Sequence, residues 1–450
     1  MYPITDSALR WLEKILADRF GGVWRLSYIN NSIHLTNETQ HDAIIFDSLN
    51  SNFSLARSDM NCSQWDAKKE GWISALNTPI PSPGCKQLQL PLIETINNSL
   101  IIHYDILGLV YWMLARVEEI GRTDLDNHQR FTAKSSHAFK YQYLNRPIVD
   151  EWLFILRQAI RRLWPNIPLK ENHGDHIVSC DVDSPYAYLA GGKKVARKLL
   201  GDLVVRKSLK VFTGNIKGLY KACKGDFSTD PHGLGVRWIM DVNEEFGNRV
   251  TFNFIPNRTH KKMDNNIPIT SKYLDNMLGE ISSRGHCIGV HPGYNSYNNQ
   301  KEINAAIREV KEVISRYNPQ QCRIGSRQHY LRWETGVTDI LLNNQKLDYD
   351  STLGYSDLPG FRCGTCFEYI FFDAKIQKEL DFREQPLIYM DASVLHKKNM
   401  GLGYSPEAIE IAKDLKNKCE LVGGSFSILW HNSRFRSQQD VIFFRELISC

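Results

Sequence analysis

The chain has 450 residues, 42% of them hydrophobic, 11% aromatic and 23% charged; this is the composition of a globular protein with a sizeable core, and it excludes a disordered or fibrous chain. At the usual domain size the length predicts two or three domains. The formal net charge is +5, from 55 basic and 50 acidic residues, which is nearly neutral for this length and excludes a dedicated nucleic-acid binder with a broad basic face.

The N-terminus reads MYPITDSALRWLEKILADRF. No basic stretch followed by an apolar core is visible there, so no secretory signal is expected. No run approaches the ~18 apolar residues that a membrane span needs. The expectation is a cytoplasmic protein whose ten cysteines are free thiols. Cys363 and Cys366 form a single CxxC. It lacks a second pair or histidines at zinc-ligand spacing, so it is read as structural.

Residues 6–20 are predicted to form an amphipathic helix, with Thr5 or Asp6 as its cap and Leu9, Leu12, Ile15 and Leu16 recurring on one face. The stretch 21–100 is rich in Asn, Ser and Pro and reads as short strands and loops. An apolar helix is expected over 103–121, with Glu118 and Glu119 at its solvated end. A second helix is expected over 148–163, opened by Pro147. These elements predict an α/β N-terminal domain over residues 1–170.

A different pattern begins at His176 and extends over 171–450. Ile177–Cys180 reads as a strand running into Asp181-Val182-Asp183-Ser184-Pro185. Val250–Ile255, Cys287–Val290 and Phe426–Trp430 are predicted as further strands. Helices are predicted at 234–247, 272–284, 300–317 and 406–418. Strands alternating with helices imply a parallel sheet or barrel. In such folds, sites form at the carboxyl ends of the strands. Asp181, His291 and His431 all occupy that position.

The segment Lys193–Lys224 holds ten Lys or Arg residues against the single acid Asp202. It lies in a predicted insertion at about 190–226. The plain reading is a solvated helical insertion. The sharper reading is peripheral contact with an anionic membrane surface, or a clamp for a phosphate-bearing substrate.

Asp181 and Asp183 flank one residue directly after a strand. Two carboxylates this close do not both ionise easily unless a cation lies between them or one serves as a base. A metal-assisted hydrolase uses one to hold the ion and the other to accept a proton from water. A solvated turn is the plain alternative. His291 offers an imidazole at the matching end of another strand, whereas His286 precedes its strand and reads as structural. The run Arg327-Gln328-His329-Tyr330-Leu331-Arg332-Trp333 concentrates donors and aromatics that could orient a carboxylate or stack on a sugar. His431 follows Trp430 and is placed to act as a general acid.

In order, the chain carries DVDSP, GHCIGVHPGYNSY, SRQHYLRW, DYDSTLGYSDLPGFRCGTC, LIYMDASV and LWHNS. This series resembles the polysaccharide deacetylase (NodB-homology) family. It is most similar to a branch with its own N-terminal domain of unknown function, to which Asp105–Gly108, Ala115–Glu119, Gln129–Phe131 and Asn145–Pro147 also correspond. The resemblance implies an irregular (β/α) barrel. It implies metal-dependent removal of acetyl groups from N-acetylated sugars or a polysaccharide precursor, with one divalent ion: zinc first, then cobalt, nickel, manganese or iron. It implies Asp181 as base, Asp183 and His291 as metal ligands, Arg327 as the group orienting the base, His431 as general acid and Asp391 as its support. Tyr330, Arg332, Trp333 and Trp430 are expected to bind substrate. The family pattern has a second metal histidine four residues after the first. That position is Asn295 here, whose amide is a weaker ligand. Asn295 motivates the alternative reading, a non-catalytic carbohydrate-binding protein. A membrane-surface or scaffold role resting on 193–224 is the third.

Overall fold

A computed structural model describes residues 4–37, 42–189, 209–435 and 437–449. The chain divides into two compact units. The first is Met1–His176 together with Leu331–Tyr389 and Lys413–Ser427. The second is Ile177–Tyr330 with Met390–Ala412 and Ile428–Cys450. The N-terminal residues thus share their unit with two later segments that adjacency in sequence would assign elsewhere.

In the first unit, the helix Asp6–Phe20 starts where the Thr5 hydroxyl accepts the Ala8 N–H. It buries Leu9, Trp11, Leu12, Ile15 and Leu16. Trp11 stacks on Phe372 at 5.0 Å and donates to the Ile370 carbonyl. A five-stranded sheet runs in the order Trp24–Ile29, Ser32–Asn37, Ile44–Phe46, Ser99–Ile102, Ile93–Ile96. Its pairings are antiparallel except that between Ile44–Phe46 and Ser99–Ile102. The amphipathic helix Ile148–Leu163 has its predicted bounds.

The helix predicted over 103–121 is shorter. It spans Ile106–Leu114, entirely buried, and is capped by Asp105 on the Gly108 N–H. Arg116 takes a left-handed conformation at φ 51°, and a 3₁₀ turn, Val117–Glu119, follows. This corrects the expected solvated end. Glu118 and Glu119 are buried, at 2% and 7% exposure, beside the fully buried Arg116. The residue pattern of a charged helix end could not show that Arg362, more than 240 positions later, meets Glu119 through two hydrogen bonds of 2.9 and 2.7 Å.

The second unit contains parallel strands in the order Gly325–Ser326, Cys287–Val290, Val250–Phe254 and, from Ile177 on, His176–Val182, with Phe426–His431, from Ile428 on, on the far side of the last. The helices Pro231–Glu245, Asp275–Ser283 and Gln300–Tyr317 intervene in sequence. Buried Val, Ile and Phe side chains fill the strands, as parallel sheets covered on both faces require. Register decides the site. Val182 pairs with Phe254, Phe254 with Val290, and Val290 with Ser326. Asp183, His291 and Arg327 are each the next residue, so they emerge along one edge.

Of the basic insertion, residues 193–208 lie outside the described residues, and Leu209–Cys223 is helical. Among the described residues no helix is long and apolar enough to cross a membrane. Cys363 and Cys366 are buried in the first unit, where the Asp150 carboxylate accepts the Cys366 N–H at 2.9 Å.

Candidate metal centre

Asp183, His291 and His329 bring one ligand atom each to within 4.8 Å of one another. Among the described residues this is the one group of three His, Cys, Asp or Glu side chains so arranged. The Asp183 Oδ1 atom is buried without a hydrogen bond of good geometry. Nε2 of His291 lies 3.3 Å from it and Nε2 of His329 3.5 Å. A third imidazole, His431, brings its Nε2 to 3.7 Å from Asp183 Oδ2.

Each imidazole is oriented through its other nitrogen. His291 Nδ1 donates to the Arg327 carbonyl at 2.5 Å. His329 Nδ1 meets Asp264 Oδ1 at 2.8 Å. His431 Nδ1 meets Asp391 Oδ1 at 2.7 Å. A carbonyl or carboxylate can only accept, so each Nδ1 carries a proton and each Nε2 of a neutral ring presents a lone pair to the site. This is the pattern expected of metal-ligating histidines, held by a carboxylate or backbone oxygen behind them.

Asp181 lies beside this group. Its Oδ1 accepts from Arg327 Nη1 at 3.1 Å and Asn253 Nδ2 at 2.9 Å. Arg327 also donates to Ser179 Oγ at 2.8 Å. Asp181 Oδ2 is 3.7 Å from His291 Nε2. Asp391 is fully buried and also accepts the His431 N–H and Arg434 Nε.

The electrostatics follow from the carboxylates. Burial alone would raise the Asp183 pKa, but His329, His291 and His431 hold it well below the usual carboxylate range. Burial would lower the pKa of His291, but Asp181 and Asp183 raise it. For His431 burial is again outweighed, mainly by Asp391, and the pKa rises to about 9. Four aspartates (181, 183, 264 and 391) face two guanidiniums, Arg327 and Arg434. The two uncompensated negative charges call for protons on the imidazoles or for a divalent cation. The donor set of two imidazoles and one carboxylate, with Oδ1 of Asp183 otherwise unbonded, fits zinc or a similar borderline ion.

Residues 11–165 match a family of unknown function, DUF7033. That is the region where the sequence resemblance set a domain of unknown function. No curated protein matches the chain. A solved structure described as a polysaccharide deacetylase from Mycobacterium smegmatis is 17% identical, with a TM-score of 0.39, over 62% of this chain and 84% of that one. A mutant of a CE4-family pseudoenzyme with restored enzymatic activity is 8% identical, with a TM-score of 0.27, over 62% and 63% of the two chains. These likenesses are too distant to carry fold or chemistry, which rest on the residues themselves.

The structure brings Asp181, Asp183, His291, Arg327, Asp391 and His431 together. Asn295 stands apart. It is exposed, and its side-chain amide donates to the Thr259 carbonyl at 3.0 Å. Tyr330 remains near the centre, edge-on to His329 at 4.8 Å. Trp430 is fully buried against Phe435, Phe443 and Phe444, so it has no ring face for a sugar. In the first unit, Trp333 is 3% exposed and packs on Phe371, and Arg332 donates to the His128 carbonyl. Aromatic neighbours thus enclose Trp333 and Trp430, and a backbone carbonyl holds Arg332. Sequence reasoning gave no role to Asn253 or Asp264, and read His329 as part of a donor and aromatic cluster rather than as a ligand. For His329 a signal existed: it is two positions beyond Arg327, and alternation in extended chain puts such residues on one side.

Proposed function

We propose that the chain is a metal-dependent hydrolase that removes acetyl groups from N-acetylated sugars or a polysaccharide precursor. The observation that carries this reading is the convergence of Asp183, His291 and His329, with the Arg327-held Asp181 and the Asp391-held His431 beside it. Asp183, His291 and His329 would hold the ion. A divalent ion there supplies Lewis acidity toward an acetyl carbonyl and makes water a stronger acid.

Asp181 accepts the proton of the attacking water. Arg327 and Asn253 both bond its Oδ1, which leaves Oδ2 to take that proton. Asp391 raises the His431 pKa against the effect of burial, which favours the acid form needed to protonate the departing amine. Asp391 fixes its tautomer and keeps Nε2 toward the reaction. The non-catalytic reading was motivated by Asn295 at the second histidine position, and His329 supplies an imidazole that answers that loss.

The test pairs metal content with turnover of acetylated oligosaccharides. The wild type should carry about one zinc, cobalt, nickel, manganese or iron per chain. His291→Ala and His329→Ala should lose it. Asp181→Asn should keep the ion and lose turnover. Unchanged turnover in Asp181→Asn would overturn the assignment.

A further inference from the structure

We infer that Asp264 is the positioning residue that makes His329 a metal ligand, and that the loop around it is a brace built for that purpose. The inference rests on the metal-centre reading above. Asp264 follows the strand Val250–Phe254, and its side chain is fully enclosed, at 0% exposure. Its Oδ2 accepts from Thr259 N at 2.8 Å, Thr259 Oγ1 at 2.8 Å and His260 N at 2.7 Å. Its Oδ1 accepts from Tyr294 N at 2.9 Å and His329 Nδ1 at 2.8 Å. One carboxylate thus joins three segments: its own loop, the loop after His291, and His329. A carboxylate offers about four lone-pair sites, so five donors saturate it.

The surrounding residues are shaped to this hub. A Cβ at Gly293 would lie 2.6 Å from Thr259 Oγ1 and 2.8 Å from Asp264 Oδ2, so the close approach of the two loops requires glycine. Asn295 is drawn into the brace: its backbone N–H meets Thr259 Oγ1 and its side chain meets the Thr259 carbonyl. On the other side of His329, Tyr330 and Leu331 take left-handed backbone at φ 65° and 54°. Consecutive non-glycine residues there are held against their preference. The turn and the carboxylate together fix the ring, and the carboxylate fixes which nitrogen is protonated. Without that acceptor the ring can rotate, or place its proton on Nε2 and mask the lone pair. An amide at position 264 accepts on one side only, because its NH₂ group would face the donors of Thr259 and His260 or that of His329.

The test is titration of the apo-protein with Zn²⁺ and Co²⁺ in competition with a chromophoric chelator. Wild type, His329→Ala, Asp264→Asn and Asp264→Glu are compared, with thermal melting and the Co²⁺ absorption spectrum measured on each. Asp264→Asn should weaken binding by about 10–100-fold and alter the Co²⁺ spectrum, with partial recovery in Asp264→Glu. A purely structural role would lower the melting temperature and leave affinity and spectrum unchanged, and that result overturns the inference. ¹⁵N NMR of the wild-type histidines decides the matter even where the variants do not fold. His329 protonated on Nδ1, with Nε2 shifted by the added ion, supports the proposal. Protonation on Nε2 overturns it and removes His329 from the ligand set, while an ion still bound by the chain leaves the metal-dependent reading standing. A wild-type chain that binds no ion overturns the reading itself.

Discussion

The two units each bury a knot of charge, and the knots differ in one respect. In the first unit, Arg116 and Arg362 both hold Glu119, with contacts of 2.8 Å and 2.7 Å. Glu118 accepts from Ser58 Oγ and the His137 N–H. Guanidiniums and carboxylates balance, and each carboxylate oxygen that bonds does so to a protein donor. In the second unit the carboxylates outnumber the guanidiniums, a buried Asp183 oxygen has no good hydrogen bond, and three imidazoles turn their Nε2 atoms toward that carboxylate. Buried charge by itself does not mark a functional site. A closed, balanced network is structural, whereas one that is incomplete in a directed way is built for something added.

The contrast can be broken first at the ligands. Asp183→Ala should reduce bound metal from about one ion per chain to near zero by elemental analysis, while Glu119→Ala leaves metal content unchanged; loss of metal in both would erase the distinction. Next comes chemistry. Asp181→Asn should slow deacetylation by at least about 10²–10⁴-fold, the range for losing a general base, with metal retained. The first unit should respond in stability instead. Glu119→Ala leaves two guanidiniums buried without their shared partner and should cost about 3–5 kcal/mol in denaturant unfolding.

The smallest effect expected is in pH. Burial opposes the charge on Glu119, but Arg362 and Arg116 hold its pKa down to about 2, from 4.5. The folded pKa lies below the unfolded one, so the contribution is complete above pH 4.5 and is lost as pH falls toward 2. It amounts to about 3 kcal/mol. Glu118, raised by burial, works in the opposite direction. The difference in acid stability between wild type and Glu119→Gln therefore isolates the Glu119 share. No difference between them over pH 2–4.5 would mean the network is not closed as described.

What the sequence determined by itself is periodic or local. Helices 6–20, 148–163 and 300–317 follow from apolar spacing and end as predicted. So does the strand end that carries His291, because a strand followed at once by a polar residue is a short-range signal; the strand expected to stop at Cys180 runs on to Val182, which puts Asp183 rather than Asp181 just past its end. Only the tertiary structure decided what depends on partners far along the chain. Glu118 and Glu119 read as solvated until Arg116 turned back into the core and Arg362 arrived from the distant segment. Trp333 read as a ring for a sugar until Phe371, from a later strand, packed against it. The exchange of Asn295 for His329 in the candidate ligand set was hidden for the same reason. A hydrophobic period is written in neighbouring residues, whereas the register of four strands and a brace through Asp264 determine which imidazole reaches a shared point.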